Sequence, residues 1–266
     1  MPARSFKRQT AQGIILSRMI HGVIFDLGST LIYNRHDINW PLALNRMRLE
    51  LVAQLQAAGY PLDDPAPFLA RFAEKVNDYS DQRQTDWVEY STNWILASTL
   101  AELNLPAPPP EVARAALAAY YAYSESLWRP VDGLHATLQA LAAAGLRLGL
   151  ISNAADDANV QRLVDAADLR HYFNPIVVSA ALGLRKPNPA IFALVLQAWK
   201  LPPAECVMVG DTLGADILGA QLSGMHNVWF SPYADHPANL AHRGNIIPEV
   251  ELERLPDLPG LLARWD

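Results

Sequence analysis

Six polar residues stand at or near the ends of short apolar runs, and their types suit one kind of chemistry. They are Asp26, Ser152, Asn153, Lys186, Asp211 and Asp216. Carboxylates gathered in one place repel each other unless a hard cation such as Mg²⁺ shares their charge. A lysine and a hydroxyl beside such a cation can neutralise phosphoryl oxygens, and a carboxylate can be the nucleophile that forms an aspartyl-phosphate. The set points to metal-assisted phosphoryl transfer, provided that the fold brings it together.

The order and spacing of these residues carry more weight than any one of them. An acid after an apolar strand is usually a turn or helix cap, and a loop lysine is usually solvated. Here Asp26 precedes a Gly-Ser-Thr turn, and Lys186 stands in a basic loop that leads into a helix. Asp211 and Asp216 lie five positions apart around a strand-to-helix turn. The combination favours a functional site.

Short β-rich runs alternate with helical segments after Pro130, and these elements would position the six residues. The predicted strands are Leu146–Ile151, Pro175–Ser179, Cys206–Val209 and Asn227–Phe230. The predicted helices are Leu134–Ala144, Val160–Ala166, Ala190–Trp199 and Ala215–Ser223. This alternation predicts a parallel sheet with helices on both faces and with ligands at the carboxyl ends of its strands. With Gly22–Phe25 as a further strand, we expect an α/β fold whose core is a three-layer, Rossmann-like parallel sheet.

The chain between residues 37 and 128 has an almost wholly helical pattern. Apolar residues recur at helical spacing in four segments, Leu42–Leu55, Phe68–Val76, Trp94–Leu105 and Val112–Tyr123. Pro110 stands where the first turn of the fourth helix is expected, and no strand is expected in the block. We therefore predict an inserted α-helical cap domain at 37–128 and an α/β core domain formed by 19–36 and 129–266.

The N-terminal segment 1–18 is basic, polar and uneven in pattern. We expect it to be a flexible tail that precedes a natural start at Met19. The alternative is an additional ordered strand at 13–16.

Composition excludes several classes of protein. The 266 residues are 51% apolar and 18% charged, enough to bury a sizeable core, and the net charge is −6. The 21 basic residues form no run longer than two, which argues against a nucleic-acid surface. Ser17, Arg18 and His21 interrupt the longest apolar stretch near the N-terminus, so no bilayer span is expected. A single cysteine, Cys206, excludes an internal disulfide, and we expect a cytoplasmic protein.

The six residues stand in four motifs, in chain order Phe25–Leu31, Leu150–Asn153, Gly183–Pro189 and Val209–Asp216. These motifs and the helical block together resemble the haloacid dehalogenase-like superfamily of hydrolases, in the branch with a helical cap after the first motif. The resemblance extends over residues 19–262. It implies that Asp26 is the nucleophile and also binds Mg²⁺. It implies further that the Ser152 hydroxyl and the backbone N–H of Asn153 hold the phosphoryl oxygens, and that Lys186 balances the charge of the transferring group.

Residues of the fourth motif and of the first motif complete the metal site that the resemblance implies. By the same resemblance, Asp211 is a metal-binding acid, and Asp216 either binds the metal or orients Lys186. The chain departs from the family pattern at Gly28, where phosphatases carry a second aspartate that protonates the leaving group. The backbone carbonyl of Gly28 can still bind the metal, but general acid–base help worth roughly 10²–10⁴-fold in rate should be missing.

This departure leaves several functions open. The first is an Mg²⁺-dependent hydrolase of a small phosphorylated metabolite, with low turnover unless the leaving group is good, as in an acyl or aryl phosphate. The second is a non-catalytic protein that keeps the phosphate and metal site. The third is a phosphonate hydrolase that uses Lys75, although that lysine is expected to be a helix-face charge paired with an acid. Dehalogenation is disfavoured because the acids of the fourth motif are intact. The oligomeric state is expected to be a monomer or homodimer.

Some residues between the motifs are smaller candidates. The segment 33–37 leads into the cap, and His36 or Asp37 there is a possible substitute for the missing acid. Four tryptophans, Trp40, Trp87, Trp94 and Trp128, are expected mainly to fill helix–helix contacts, with one or two lining a substrate pocket. Cys206 is interpreted as a buried apolar residue.

Overall fold

A six-stranded parallel sheet lies at the centre of the structure, a computed structural model that describes residues 20–34 and 38–265. Its strands, in chain order, are β1 (Gly22–Phe25), β4 (Arg147–Ser152), β5 (Ile176–Val178), β6 (Cys206–Gly210), β7 (His226–Phe230) and β8 (Val250–Leu252). Their spatial order is β5-β4-β1-β6-β7-β8, and each adjacent pair is parallel. The prediction of an α/β fold with a Rossmann-like parallel sheet is confirmed. The expectations for 1–18, Met19 and a strand at 13–16 fall outside the described residues.

The central strands are apolar on both sides because helices cover both faces of the sheet. Val23 and Phe25 of β1 belong to the apolar cluster on one face, and Ile24 belongs to the cluster on the other. All four residues of β1 are buried. The helices that accompany the sheet are α5 (Leu134–Ala143), α6 (Asp157–Ala166), α7 (Ser179–Leu182), α8 (Pro189–Trp199), α9 (Leu218–Leu222), α10 (Pro237–Leu240) and α11 (Leu258–Leu262). Parallel pairing brings the carboxyl ends of β1, β4 and β6 to one edge, where the predicted polar residues stand.

Four longer helices lie in the chain between β1 and β4. They are α1 (Trp40–Ala57), α2 (Ala66–Asp86), α3 (Thr92–Glu102) and α4 (Pro110–Glu125), and we call them the helical insertion. They share a buried apolar cluster of their own, which includes Phe68, Phe72 and Tyr120. The first turn of α4 begins at Pro110, as predicted, because proline fits where no backbone N–H is needed.

A short antiparallel pair corrects the prediction that the block ending at Trp128 contains no strand. Strand β2 (Ile32–Asn34) pairs with β3 (Trp128–Pro130), and Asn34 lies opposite Trp128. Three-residue strands are too short to show a period along the chain, and their partners are about a hundred residues apart. This pair ties together the two ends of the helical insertion.

Two further elements differ from the predictions. Strand β8 was not predicted, since it is a three-residue edge strand with an exposed Glu251. The helix predicted at Ala215–Ser223 is a π-helical turn at Leu213–Ile217 followed by α9. π-Helical turns are rare and often occur at functional sites, and this one carries Asp216.

The tryptophan prediction was wrong for two of the four residues. The exposed fraction is 39% for Trp40 and 50% for Trp94, so neither is buried in the core between the helices. Phenylalanine and tyrosine side chains of the helical insertion occupy those contacts instead. Within the described residues, no helix combines the length and the apolar content needed to cross a membrane.

Candidate active site

Lys186 joins two carboxylates at the edge of the sheet, one directly after β1 and one in the π-helical turn that follows β6. Its Nζ lies 2.6 Å from Oδ1 of Asp26 and 2.7 Å from Oδ1 of Asp216. It also donates a 2.8 Å hydrogen bond to the carbonyl of Ile151. Lys186 is only 1% exposed. Three oxygen partners compensate for the burial of this ammonium group and hold it between the two acids.

Asp26, Asp211 and Asp216 form a cluster of acids around this lysine. One carboxylate oxygen from each lies within 4.8 Å of the others. Asp216 reaches the cluster because its Oδ2 accepts a 2.9 Å hydrogen bond from the backbone N–H of Thr212, across the strand-to-helix turn. Gly210 makes that approach possible: a Cβ atom there would lie 2.3 Å from Cγ of Asp216. The structure therefore brings together the four ionisable residues that the sequence singled out.

The electrostatics of this cluster fit a divalent cation. Burial raises the pKa of Asp26 to about 7; Lys186 opposes this rise, whereas Asp216 and Asp211 add to it. The pKa of Asp211 is likewise raised by burial and lowered in part by a hydrogen bond from His236. Three buried carboxylates thus face one lysine, which leaves negative charge uncompensated. A hard cation with oxygen ligands would compensate that charge, so the donor set fits an ion such as Mg²⁺.

The end of β4 adds a hydroxyl and an amide to the same site. Ser152 is the last residue of β4, is buried and lines the cavity in front of Asp26. The side chain of Asn153 holds the backbone of Lys186 at both polar groups: its Oδ1 accepts from the N–H at 2.8 Å and its Nδ2 donates to the carbonyl at 2.9 Å. Asn153 was singled out for its backbone N–H, whereas the structure shows that its side chain orients the lysine segment.

A cavity of about 330 Å³ opens in front of Asp26 and has two chemically different walls. One wall is polar and contains the predicted site residues Asp26, Ser152, Asn153, Lys186, Asp211 and Asp216. The other wall is largely apolar, with Leu27, Ile32, Trp128, Val160 and Leu163. Gly28 lies between the two walls, and a Cβ atom there would be 3.3 Å from Cη2 of Trp128. Of the four tryptophans, Trp128 is the one that lines this cavity, as expected for a minority of them.

The structure also places some of the candidates outside the six polar residues. Lys75 Nζ lies 2.6 Å from Oε1 of Glu102, and Lys75 does not line the cavity, which agrees with a paired helix-face charge. Tyr33 stacks on Tyr233, with ring centroids 4.5 Å apart. His36 and Asp37, considered as substitutes for the missing acid, lie outside the described residues.

His236 is a site residue that the sequence interpretation missed. It follows the carboxyl end of β7, lines the cavity, and its Nε2 lies 3.3 Å from Oδ2 of Asp211. Asn239 supports the same corner, because its Nδ2 donates a 2.8 Å hydrogen bond to the carbonyl of Asp211. The rule that located the other residues, polar side chains after a parallel strand, would also have located His236.

The helical insertion contacts the segment that leads to Lys186 through a buried acid. The Glu89 side chain is fully buried between α2 and α3, and its Oε2 lies 3.4 Å from Nη1 of Arg185. The Tyr79 hydroxyl also donates to Glu89. Backbone bonds reinforce this contact, since the N–H of Arg185 donates to the carbonyl of Trp87 at 3.2 Å. The loop that carries Lys186 is thus held from both the sheet and the insertion.

Comparison with known proteins agrees with this fold. A protein of Pyrococcus furiosus named glyceraldehyde 3-phosphate phosphatase is 27% identical over 93% of this chain and 95% of its own length. One of Methanopyrus kandleri with the same name is 30% identical over 57% of this chain and 64% of its own. The crystal structure of a 2-haloacid dehalogenase from Pseudomonas syringae pv. Tomato has the same fold, with a TM-score of 0.63 and 24% identity over 93% of this chain and 100% of that one. The model of the haloacid dehalogenase-like hydrolases matches residues 20–224, so this chain is a hydrolase that belongs to that family.

Proposed function

We propose that this chain is an Mg²⁺-dependent phosphatase that cleaves a small phosphorylated metabolite through an aspartyl-phosphate at Asp26. The observation that carries the proposal is the position of Lys186 Nζ, 2.6 Å from Asp26 and 2.7 Å from Asp216, beside a third buried acid. A lysine at this position can balance the charge of a phosphoryl group as it reaches the nucleophile. The names of the two phosphatase relatives support a small phosphorylated substrate.

Each residue of the polar wall has a role in this mechanism. A carboxylate oxygen of Asp26 attacks phosphorus as the bond from phosphorus to the leaving oxygen breaks, and the electron pair of that bond stays on the leaving oxygen. Lys186 offsets the negative charge of the phosphoryl oxygens and of the nucleophile. The Ser152 hydroxyl and the backbone N–H of Asn153 bind those oxygens and orient the group for in-line attack. Water then attacks phosphorus, the bond to Asp26 breaks, and inorganic phosphate leaves.

Asp26, Asp211 and Asp216, with the backbone carbonyl of Gly28, are the groups that would hold Mg²⁺. When bound, the ion would neutralise the negative charge of the acids and of the phosphoryl oxygens. His236 orients Asp211, since its Nε2 lies 3.3 Å from the Asp211 carboxylate. The helical insertion acts as a cap, because its Glu89 and Trp87 contact the segment next to Lys186.

The direct test is hydrolysis of a panel of phosphate esters and acyl phosphates by the purified chain in Mg²⁺. We expect phosphate release that is abolished by Asp26→Asn and by removal of divalent cations with EDTA. Asp63→Asn, at an exposed position away from the cavity, is the matched control and should keep full activity. Equal inactivity of wild type and Asp26→Asn over the panel would contradict the proposal. Mg²⁺-dependent binding of phosphate without turnover would then favour the non-catalytic alternative.

A further inference from the structure

Trp128 occupies the space beside Gly28 into which a longer side chain at that position would extend. A Cβ atom at Gly28 would lie 3.3 Å from Cη2 and 3.7 Å from Cζ3 of the indole. The indole is held in place because β3 pairs with β2 and because Trp128 packs against the main apolar cluster of the sheet. Even a Cβ atom at position 28 would therefore require the ring to shift by a few tenths of an ångström. The chain lacks an acid there, and the structure fills the neighbouring space with an aromatic wall.

The apolar groups of the cavity belong to one cluster with Trp128. Leu27, Ile32, Val160 and Leu163 are buried, line the cavity and form part of the apolar cluster on which Trp128 packs. Besides the polar wall and Ser29, Thr212 and His236, two further polar residues line the cavity, and both already donate to carboxylates. These are Asn159, whose Nδ2 lies 2.8 Å from Oε1 of Glu125, and Arg185, which pairs with Glu89. A flat apolar group would replace water on this wall without leaving polar groups unpaired.

The chemistry at Gly28 selects the same kind of leaving group. As Asp26 oxygen forms its bond to phosphorus, the bond from phosphorus to the leaving oxygen breaks and its electron pair stays on that oxygen. With no acid at position 28, the leaving group departs as an anion and takes its proton from solvent. A phenol with a pKa of about 10 leaves far more easily in this way than an alcohol, whose acidity is close to that of water at about 15.7.

We propose that the substrates of this site are aryl phosphate monoesters, whose ring stacks on Trp128 while the phosphoryl group lies against Asp26 and Lys186. The inference rests on the proposed phosphatase function and adds the class of leaving group. The cavity of about 330 Å³ has room for a phosphoryl group and a single aromatic ring.

The first experiment compares phenyl phosphate with ethyl phosphate and acetyl phosphate, using wild type, Trp128→Leu, Trp128→Phe and the exposed-tryptophan control Trp40→Leu. We expect wild-type kcat/KM to be at least about 10²-fold higher for phenyl than for ethyl phosphate. Trp128→Leu should raise KM for phenyl phosphate by about 2–10-fold, with Trp128→Phe intermediate and acetyl phosphate unchanged. Acetyl phosphate separates stacking from leaving-group acidity, because it leaves easily but carries no ring.

A comparison of two inhibitors needs no variant. Phenylphosphonate, which has no oxygen between ring and phosphorus and is not hydrolysed by this route, should compete better than methylphosphonate in the wild type. Equal inhibition by the two phosphonates, or equal kcat/KM for phenyl and ethyl phosphate, would overturn the assignment of the leaving group. Either result would leave the phosphatase proposal standing if Asp26→Asn still abolishes hydrolysis. If the wild type hydrolyses none of the substrates, the phosphatase proposal itself is contradicted.

Substitutions at position 28 test the steric part of the argument. Gly28→Asp alone should not improve hydrolysis of ethyl phosphate, because the indole stands against the new side chain. Gly28→Asp combined with Trp128→Leu should raise kcat for ethyl phosphate, by up to about 10²-fold, since the carboxyl group can then protonate the alcohol. Gly28→Ala with Trp128→Leu is the control that adds volume without an acid. Improvement by Gly28→Asp alone would show that the indole does not exclude a side chain there.

Discussion

Ser179 donates a 2.7 Å hydrogen bond from its hydroxyl to the buried carboxylate of Glu89, and so connects the start of α7 to the loop between α2 and α3. The same hydroxyl accepts a 2.9 Å bond from the backbone N–H of Ala154, just after the predicted phosphate-binding residues. Glu89 therefore links two segments of the active site, the one after β4 and the one before Lys186. A buried acid in this position has structural consequences that can be measured.

Replacement of Glu89 should destabilise the protein and loosen the insertion. Glu89→Ala leaves Arg185 without its buried partner, and a cost of about 3 kcal/mol in the free energy of unfolding is expected. Glu89→Gln should cost less, because it keeps the shape of the side chain and a hydrogen-bond acceptor for Ser179. Denaturant unfolding measures both variants, with Glu251→Gln on the exposed edge strand as the control. Unchanged stability in Glu89→Ala would contradict the structural role of this contact.

Lys186→Met should affect both catalysis and the dependence of stability on metal. Loss of the ammonium group removes the partner of Asp26 and Asp216, so we expect activity to fall by at least about 10²-fold. The remaining acids repel each other, and the melting temperature should fall in EDTA and recover in part when Mg²⁺ is added. Thermal unfolding with and without Mg²⁺ checks this, beside the exposed control Lys200→Met. An identical fall of melting temperature in both conditions would argue against shared charge compensation by lysine and cation.

Gly210→Ala should disrupt the approach of Asp216 to the cluster. The added methyl group would lie 2.3 Å from the carboxylate of Asp216, so either the strand end or the π-helical turn must shift. Overpacking of this kind costs about 1–3 kcal/mol, and the stabilisation by Mg²⁺ should decrease with it. Gly244→Ala, where a Cβ meets no atom within 4 Å, is the matched control. A normal response of Gly210→Ala to Mg²⁺ would show that Asp216 does not need this close approach.

Cys206 should be inert in the native protein at moderately alkaline pH. Burial raises the pKa of its thiol to about 12, and Glu205 adds to the rise while Arg147 opposes it. At pH 8 the thiol is then ionised in about one molecule in ten thousand. An exposed cysteine with a pKa near 8.5 is substantially ionised at the same pH. Reaction with a chromogenic disulfide reagent at pH 8 should be slow in buffer and fast in denaturant. Rapid labelling of the native chain would contradict the burial of β6.

The sheet and the positions of the six polar residues could be predicted because both depend on local patterns. Short apolar runs that alternate with helical segments specify parallel strands, and parallel strands bring their carboxyl ends to one edge. Asp26, Ser152 and Asp211 follow three such runs, so their proximity follows from topology alone. The missing acid at Gly28 was equally visible, since it is a matter of residue type at a fixed spacing.

The contacts that give the site its individual character depend on residues far apart in the chain. Trp128 meets Gly28 only because β3 pairs with β2 across the whole helical insertion, and three-residue strands leave no periodic signal. His236 reaches Asp211, and Glu89 reaches Arg185, through loops whose course depends on packing. Residue types and local spacing therefore specified the sheet and the polar wall of the cavity. The apolar wall, and with it the inferred leaving group, was decided by side-chain packing between distant segments, which no local pattern records.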